Sequence, residues 1–231
     1  MVQNNLAIPV AIIIAGALIA AAVFFTSGSA NTAGANESAP EASAGDLEAI
    51  TAVSASDHIR GNPDAPVKIV EYSDTECPFC KRFHETMKQV VDANSDVAWV
   101  YRHFPLDQLH KKARKEAVAT ECANELGGND AFWKYLDRLF AITPANDGLD
   151  PAELPKIAQF VGLDVAKFNE CLASTRYDQH IEDEVQNAQA TGGNGTPWSI
   201  VVSKNGTKYP LSGAQPYESV EQLVDIALKE E

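Results

Sequence analysis

Cys77 and Cys80, in the run Cys-Pro-Phe-Cys, are the residues whose type and spacing are best suited to chemistry. Two cysteines separated by two residues can form a redox dithiol, half of a zinc site or a small-loop disulfide. Hydrophobic residues at helical spacing follow from Phe83 onward, and Pro78 suits the first turn of a helix. Cys77 is therefore predicted at a helix N-terminus. Unpaired backbone N–H groups and the helix dipole favour the reactive thiolate there.

The other possible ligands argue against zinc at this pair. A zinc site needs a second pair of ligands at short spacing. Cys122 and Cys171 are 49 residues apart, and the histidines at positions 84, 103, 110 and 180 are scattered. A purely structural disulfide is also disfavoured, because closing so small a loop constrains little of the unfolded chain. The pattern favours a redox pair, and no metal site is predicted.

Composition bounds the class of protein. The 231 residues carry a formal net charge of −14, which argues against nucleic acid as a partner because phosphate backbones are bound by basic faces. Hydrophobic residues make up 45% of the chain, enough for a substantial core. Four cysteines are too few for a disulfide scaffold that replaces a core.

The N-terminal region is predicted to place the protein outside the cytoplasm. Residues 6–25 carry no charge and, as a helix about 30 Å long, are sufficient to cross a bilayer. We interpret residues 1–26 as a transmembrane anchor, and a cleaved signal segment is the alternative, given the small residues at 28–30. Residues 27–57 are rich in Ala, Ser, Gly and Glu, so a flexible linker is expected.

Residues 58–231 have the pattern of a single α/β domain. A strand at 67–72, a helix from residue 78 and a strand at 97–101 predict a β-α-β unit with parallel strands. Residues 106–190 are helical throughout by pattern, and two strands and an amphipathic helix close the chain. This order predicts one sheet interrupted by an inserted α-helical domain.

Two separated motifs carry a family resemblance. The Cys-Pro-Phe-Cys run at a helix start, together with Gly195-Thr196-Pro197 before a late strand, resembles the DsbA-like thiol:disulfide oxidoreductases of thioredoxin fold. The resemblance covers residues 58–231. It implies a cis peptide bond before Pro197 and a substrate-binding role for Thr196 and Pro197. It also implies that Glu71 is an acidic residue beneath the active site, where burial would raise its pKa and let it exchange a proton with Cys80.

Phe79 departs from the Pro-His dipeptide of the best-known oxidants in that family. It offers no imidazole to stabilise the Cys77 thiolate, so the oxidising strength stays open. Cys122 and Cys171 are either independent buried thiols or a second disulfide, which an oxidising compartment favours. Such a bond would join the first inserted helix to the fourth and stabilise the fold by about 4 kcal/mol.

These features predict an extracytoplasmic oxidoreductase that forms disulfide bonds in cysteine-containing secreted or periplasmic proteins. Cys77 would be the exchanging sulfur and Cys80 the resolving one, without a cofactor. A DsbB-like or VKOR-like quinone-linked membrane protein would reoxidise the pair. A disulfide isomerase or reductase using the same site is the alternative. A binding module for unfolded chains and a glutathione-transferase-like enzyme are weaker ones.

Overall fold

The computed structural model describes residues 45–230, which form a five-stranded sheet with helices on both faces. The strands are β1 (His58–Gly61), β2 (Val67–Ser73), β3 (Val97–His103), β4 (Trp198–Val202) and β5 (Lys208–Ser212). The helices are α1 (Pro78–Ala93), α2 (Ala113–Ile142), α3 (Glu153–Phe160), α4 (Val165–Leu172), α5 (Asp178–Ala190) and α6 (Tyr217–Leu228). The predicted anchor lies outside this range. None of the helices in it is long and apolar enough to cross a bilayer.

The sheet order is β1-β3-β2-β4-β5, with β2 and β3 parallel and the other pairs antiparallel. This confirms the predicted β-α-β unit. Alternation along β2 sends Val67 and Ile69 into the core shared with α1 and α6. Val70 and Tyr72 enter the core on the opposite face, which α5 covers. Since successive side chains alternate, Glu71 belongs to the α1 face, beneath the two cysteines.

The helical insertion between β3 and β4 is also confirmed. Its long helix α2 breaks at Gly128, whose φ of 71° is accessible to glycine at little cost. The helices α2 to α5 surround a second apolar core that contains Cys122 and Cys171. These two cysteines form a disulfide, with their Cα atoms 5.7 Å apart. The insertion therefore has its own core and its own cross-link between α2 and α4. Because α2 contains two helical segments on either side of Gly128, α4 is the fourth helical segment of the insertion.

Ordered structure begins earlier than the predicted domain boundary at residue 58. Residues 47–49 form a short 3-10 helix, and the N–H of Asp46 donates to the carbonyl of Ala190. Leu47, Ile50 and Val53 pack against the core on the α5 face of the sheet. The end of the region expected to be a linker is thus held by three apolar side chains spaced three residues apart, a pattern that its polar composition obscured.

Candidate active site

The Cys77–Cys80 pair lies at the start of α1, where the sequence pattern predicts it. Cys77 is the N-cap residue, with extended backbone angles, and Pro78 begins the helix. Both cysteines are free thiols, Cys77 with 4% of its surface exposed and Cys80 with none. Cys77 Sγ lies 3.4 Å from the carbonyl oxygen of Thr196, and the N–H of Asp74 donates to Cys80 Sγ over 3.4 Å. Only Cys77 is therefore positioned to meet a partner from outside.

The two thiols have opposite proton affinities. The pKa of Cys77 is lowered from 9.0 to about 6, chiefly because the Cys80 thiol donates a hydrogen bond to it. Burial opposes this shift, while the Thr196 side chain and the N–H groups at the start of α1 add to it. Burial and the adjacent Cys77 sulfur raise the pKa of Cys80 well above its usual range. At neutral pH the site thus holds one thiolate and one thiol.

Glu71 lies under the pair on β2 and is almost fully buried, with 1% of its surface exposed. Burial raises the pKa of its carboxyl group from 4.5 to about 7, although the Ser73 and Trp99 side chains oppose the rise. The Ser73 side chain likewise opposes the raised pKa of Cys80. Ser73 shares the β2 face of Glu71, and its effect on both groups was not predicted from the sequence.

A second acidic cluster borders the site and was not predicted. Asp74 accepts hydrogen bonds from the N–H of Leu106 at 2.7 Å and from His110 Nδ1 at 2.9 Å. Glu76 and Glu116 are both buried, and burial together with contact with Glu76 raises the pKa of Glu116 to about 9. The sequence gives little indication that these acidic residues are buried, because charged residues are mostly exposed to solvent. His110 supplies an imidazole near Cys77 that Phe79 does not.

The insertion is attached directly to the active-site turn. The carbonyl of Glu76 accepts from the N–H of Asn146 at 2.7 Å, and Lys81 Nζ donates to the carbonyl of Thr143 at 2.6 Å. Three consecutive residues of this loop, 145–147, have positive φ values between 53° and 64°. A positive φ is unfavourable for residues other than glycine, so contacts with the surrounding structure must stabilise this backbone conformation.

The loop before β4 completes the site. The Thr196–Pro197 peptide bond is cis, and the carbonyl of Pro197 accepts from the N–H of Gly213. Phe79 is 53% exposed, with the guanidinium of Arg82 over its ring at 5.3 Å. An exposed apolar ring and a backbone carbonyl therefore flank Cys77 on two sides.

The reduced pair is expected to show a single thiolate with a midpoint near pH 6. Alkylation of the reduced chain should accelerate through this pH because the thiolate is the nucleophile. Peptide mapping should assign the label to Cys77, with Cys80 unmodified at neutral pH. The Cys77→Ser chain serves as the control, and its alkylation should show no acceleration near pH 6. A midpoint near that of an ordinary thiol, about 8.5, would contradict the assignment.

Comparison with known proteins gives the same fold and class. The thioredoxin family matches residues 54–226. The crystal structure of Pseudomonas aeruginosa DsbA2 is 31% identical, with a TM-score of 0.68 over 78% of this chain and 98% of that chain. A thioredoxin-like oxidoreductase from Silicibacter pomeroyi is 26% identical, with a TM-score of 0.65 over 76% of this chain and 94% of that one.

A different set of relatives matches only in part. Na(+)/H(+) antiporter NhaA 3 of Salinispora tropica is 38% identical over 145 residues, which are 63% of this chain and 21% of that protein. The chain thus spans about a fifth of the length of the curated relatives it matches. The part of the antiporter that this chain does not match is about four times larger than the part that it does, so no ion-transport activity follows from the match.

Proposed function

The chain belongs to the thioredoxin family and is a DsbA-like thiol-disulfide oxidoreductase, and we propose that it forms disulfide bonds in secreted proteins outside the cytoplasm. One observation carries the direction of the reaction. Cys77 has a pKa of about 6, while that of Cys80 is raised well above its usual range. A stabilised thiolate at Cys77 is a good leaving group and favours the reduced form of the pair, so the disulfide is an oxidant.

The exchange proceeds in two steps. A substrate thiolate attacks Cys77 Sγ, the Cys77–Cys80 bond breaks, and Cys80 leaves as a thiolate that takes a proton from the Glu71 carboxyl group. The second substrate thiolate then attacks the substrate sulfur of the mixed disulfide, and Cys77 leaves as a thiolate. Two electrons pass from the substrate to the pair, and the substrate gains one disulfide.

The substrate segment is proposed to bind in extended form beside Thr196. A peptide lying along this backbone forms main-chain hydrogen bonds in the manner of an added strand, which brings its cysteine to Cys77. The Thr196 carbonyl, 3.4 Å from Cys77 Sγ, supports this placement. Phe79 offers an apolar contact for the substrate side chains next to the cysteine.

Location and partner follow from the N-terminal segment. Residues 6–25 are proposed to anchor the chain in the membrane, with the domain at 58–231 outside the cytoplasm. The anchor would hold the domain near a quinone-linked membrane protein of DsbB-like or VKOR-like type, which would remove the two electrons from the reduced pair. Substrates would be cysteine-containing secreted or periplasmic proteins.

The reduction potential and the redox state in cells test this proposal together. The Cys77 pKa of about 6 lies between the values of about 7 for thioredoxin and about 3.5 for DsbA. Interpolation between their potentials of about −270 and −120 mV gives an expected value of about −230 mV, measured by equilibration with glutathione. Alkylation of rapidly acidified cells should find the pair mostly oxidised, with the Cys77→Ser chain as the reference for the mass shift.

The opposite result identifies the alternative. A pair that is mostly reduced in cells, with a potential near about −270 mV, contradicts the oxidase proposal and favours a reductase or isomerase. A Phe79→His chain provides a matched comparison at the same position. Its added imidazole is expected to lower the pKa of Cys77 further and shift the potential to a less negative value.

A further inference from the structure

Three histidines from separate elements surround one buried carboxylate, away from the two cysteines. Nε2 of His58 lies 2.7 Å from Glu121 Oε1, and Nε2 of His103 lies 2.9 Å from the same oxygen. One ligand atom from each of His58, His103 and Glu121 lies within 4.8 Å of the other two, and all three residues are buried. His180 approaches from α5, with Nε2 3.5 Å from Glu121 Oε1 and 3.4 Å from Glu184 Oε1.

The cluster is reachable from solvent on one side. His180 is 39% exposed and borders a cavity of about 170 Å³. The cavity is lined mainly by polar and charged side chains, among them Asp183 and the ion-paired Asp57 and Arg102. This small cavity provides the access path that a metal site requires.

The neighbouring rings fix the histidines from behind. The ring of His58 stacks on Phe132 with centroids 3.5 Å apart and an interplanar angle of 9°. The ring of His103 meets the same phenylalanine edge-on at 6.1 Å. The stacking on Phe132 limits rotation of the His58 ring, so its Nε2 is held toward Glu121.

We propose that His58, His103, Glu121 and His180 form a binding site for a divalent transition-metal ion, with Zn²⁺ as the occupant. Imidazole nitrogens with one carboxylate oxygen are typical zinc ligands, whereas Ca²⁺ and Mg²⁺ prefer oxygen alone. Tetrahedral ligands around Zn²⁺ lie about 3.3 Å apart. The His180 to Glu121 separation of 3.5 Å already fits.

Metal uptake requires a small rearrangement from the arrangement described. His58 and His103 are at hydrogen-bond distance from Glu121, so each ring must withdraw by about 0.5 Å to reach the tetrahedral spacing. Each must also lose its Nε2 proton, which can move to Nδ1 or to solvent. His58 lies on the four-residue edge strand β1, which has a neighbour on one side only and can adjust.

A bound ion would join parts of the fold that are distant in sequence. His58 belongs to β1, His103 ends β3, Glu121 is on α2 and His180 is on α5. The ion would therefore cross-link the sheet to the inserted helices, next to the disulfide at Cys122. Its effect is structural, and thermal unfolding should report it independently of exchange activity.

Zinc titration of the oxidised full chain tests the site. Oxidation removes the Cys77 and Cys80 thiols as competing ligands, and the protein is purified in detergent without a histidine tag. Competition with a chromophoric chelator should show one Zn²⁺ per chain with a Kd below about 1 μM. Co²⁺ as a spectroscopic probe should give the visible bands of a tetrahedral site without thiolate ligands, and Zn²⁺ should raise the unfolding temperature.

Two variants assign the ligands, and a third serves as the control. Glu121→Gln is expected to weaken zinc binding about 100-fold, and the partly exposed His180→Ala about 10-fold. His110→Ala is the matched control, because His110 is also a largely buried histidine bonded to a carboxylate, and it should leave zinc affinity unchanged. Absence of zinc binding by the oxidised wild-type chain would overturn the proposal. Equal zinc binding by the folded Glu121→Gln chain would overturn it too, because the histidines and carboxylate would then be only a hydrogen-bonded cluster.

Discussion

The Cys77→Ser chain is expected to lose exchange activity to the uncatalysed background, a loss of at least about 1000-fold. The reason is that Cys77 alone combines a thiolate at neutral pH with a position beside Thr196, whereas Cys80 is fully buried. Oxidation of a reduced model peptide with two cysteines, followed by its disulfide content, measures this directly. The same assay should show no substrate attached to the variant.

Two substitutions at Cys80 separate its chemical role from its electrostatic one. The hydroxyl introduced in the Cys80→Ser chain can still donate to Cys77, so the pKa of Cys77 should stay low. With a substrate that already contains a disulfide, the Cys77 thiolate attacks one sulfur and the other leaves as a thiolate. The mixed disulfide should then accumulate because no Cys80 thiol is present to resolve it. The Cys80→Ala chain lacks the hydrogen bond that contributes most to the shift, so the pKa of Cys77 should rise. Trapping at pH 6–7 should therefore be slower in Cys80→Ala than in Cys80→Ser. Equal trapping rates would show that the Cys80 thiol does not stabilise the thiolate.

The fold was largely predictable because its signals are local. The helix start at Pro78 and the alternation of Val67, Ile69 and Glu71 along β2 each depend on a few neighbouring residues. The hairpin between β4 and β5 also depends on local residues, because it turns within residues 203–207, where Gly206 adopts a φ of 93° that suits glycine. The inserted helices followed from apolar periodicity. The strand β1 was not predicted, because its four residues show too little alternation of apolar and polar side chains.

The features that were missed depend on contacts between distant residues. His58, His103 and His180 are scattered in sequence, yet the neighbouring strands β1 and β3 and the inserted helices α2 and α5 bring them to Glu121. The Glu76–Glu116 pair likewise joins the active-site turn to α2. No periodicity encodes such meetings, because they depend on how the insertion is oriented on the sheet. The roles of Cys77, Cys80, Glu71, Thr196 and Pro197 remain predictions that the geometry supports.

The Glu71→Gln chain is expected to exchange disulfides about 10- to 100-fold more slowly, with a changed pH profile. Below its pKa of about 7, Glu71 can give a proton to Cys80 as the Cys77–Cys80 bond breaks. Above that pH the carboxylate can instead accept a proton when Cys80 attacks a mixed disulfide. The wild-type rates should therefore change near pH 7 in opposite senses for the two directions. The substitution should remove both changes, because an amide does not titrate.

Stability gives a second readout of the same substitution, with a definite sign. An acid whose pKa is raised on folding stabilises the protein below its unfolded pKa of 4.5, and this contribution is lost as the pH rises through about 7. Replacing the buried carboxylate with a neutral amide should therefore stabilise the reduced protein at pH 8, by up to about 3 kcal/mol, and have little effect at pH 4. Ser73→Ala is the comparison variant: because the Ser73 side chain lowers the pKa of Glu71, its removal should shift the titration above pH 7 without abolishing it. Equal unfolding temperatures of the wild-type and Glu71→Gln chains at pH 8 would show that Glu71 is not the buried titrating acid, and the proton relay would then have to start from another group.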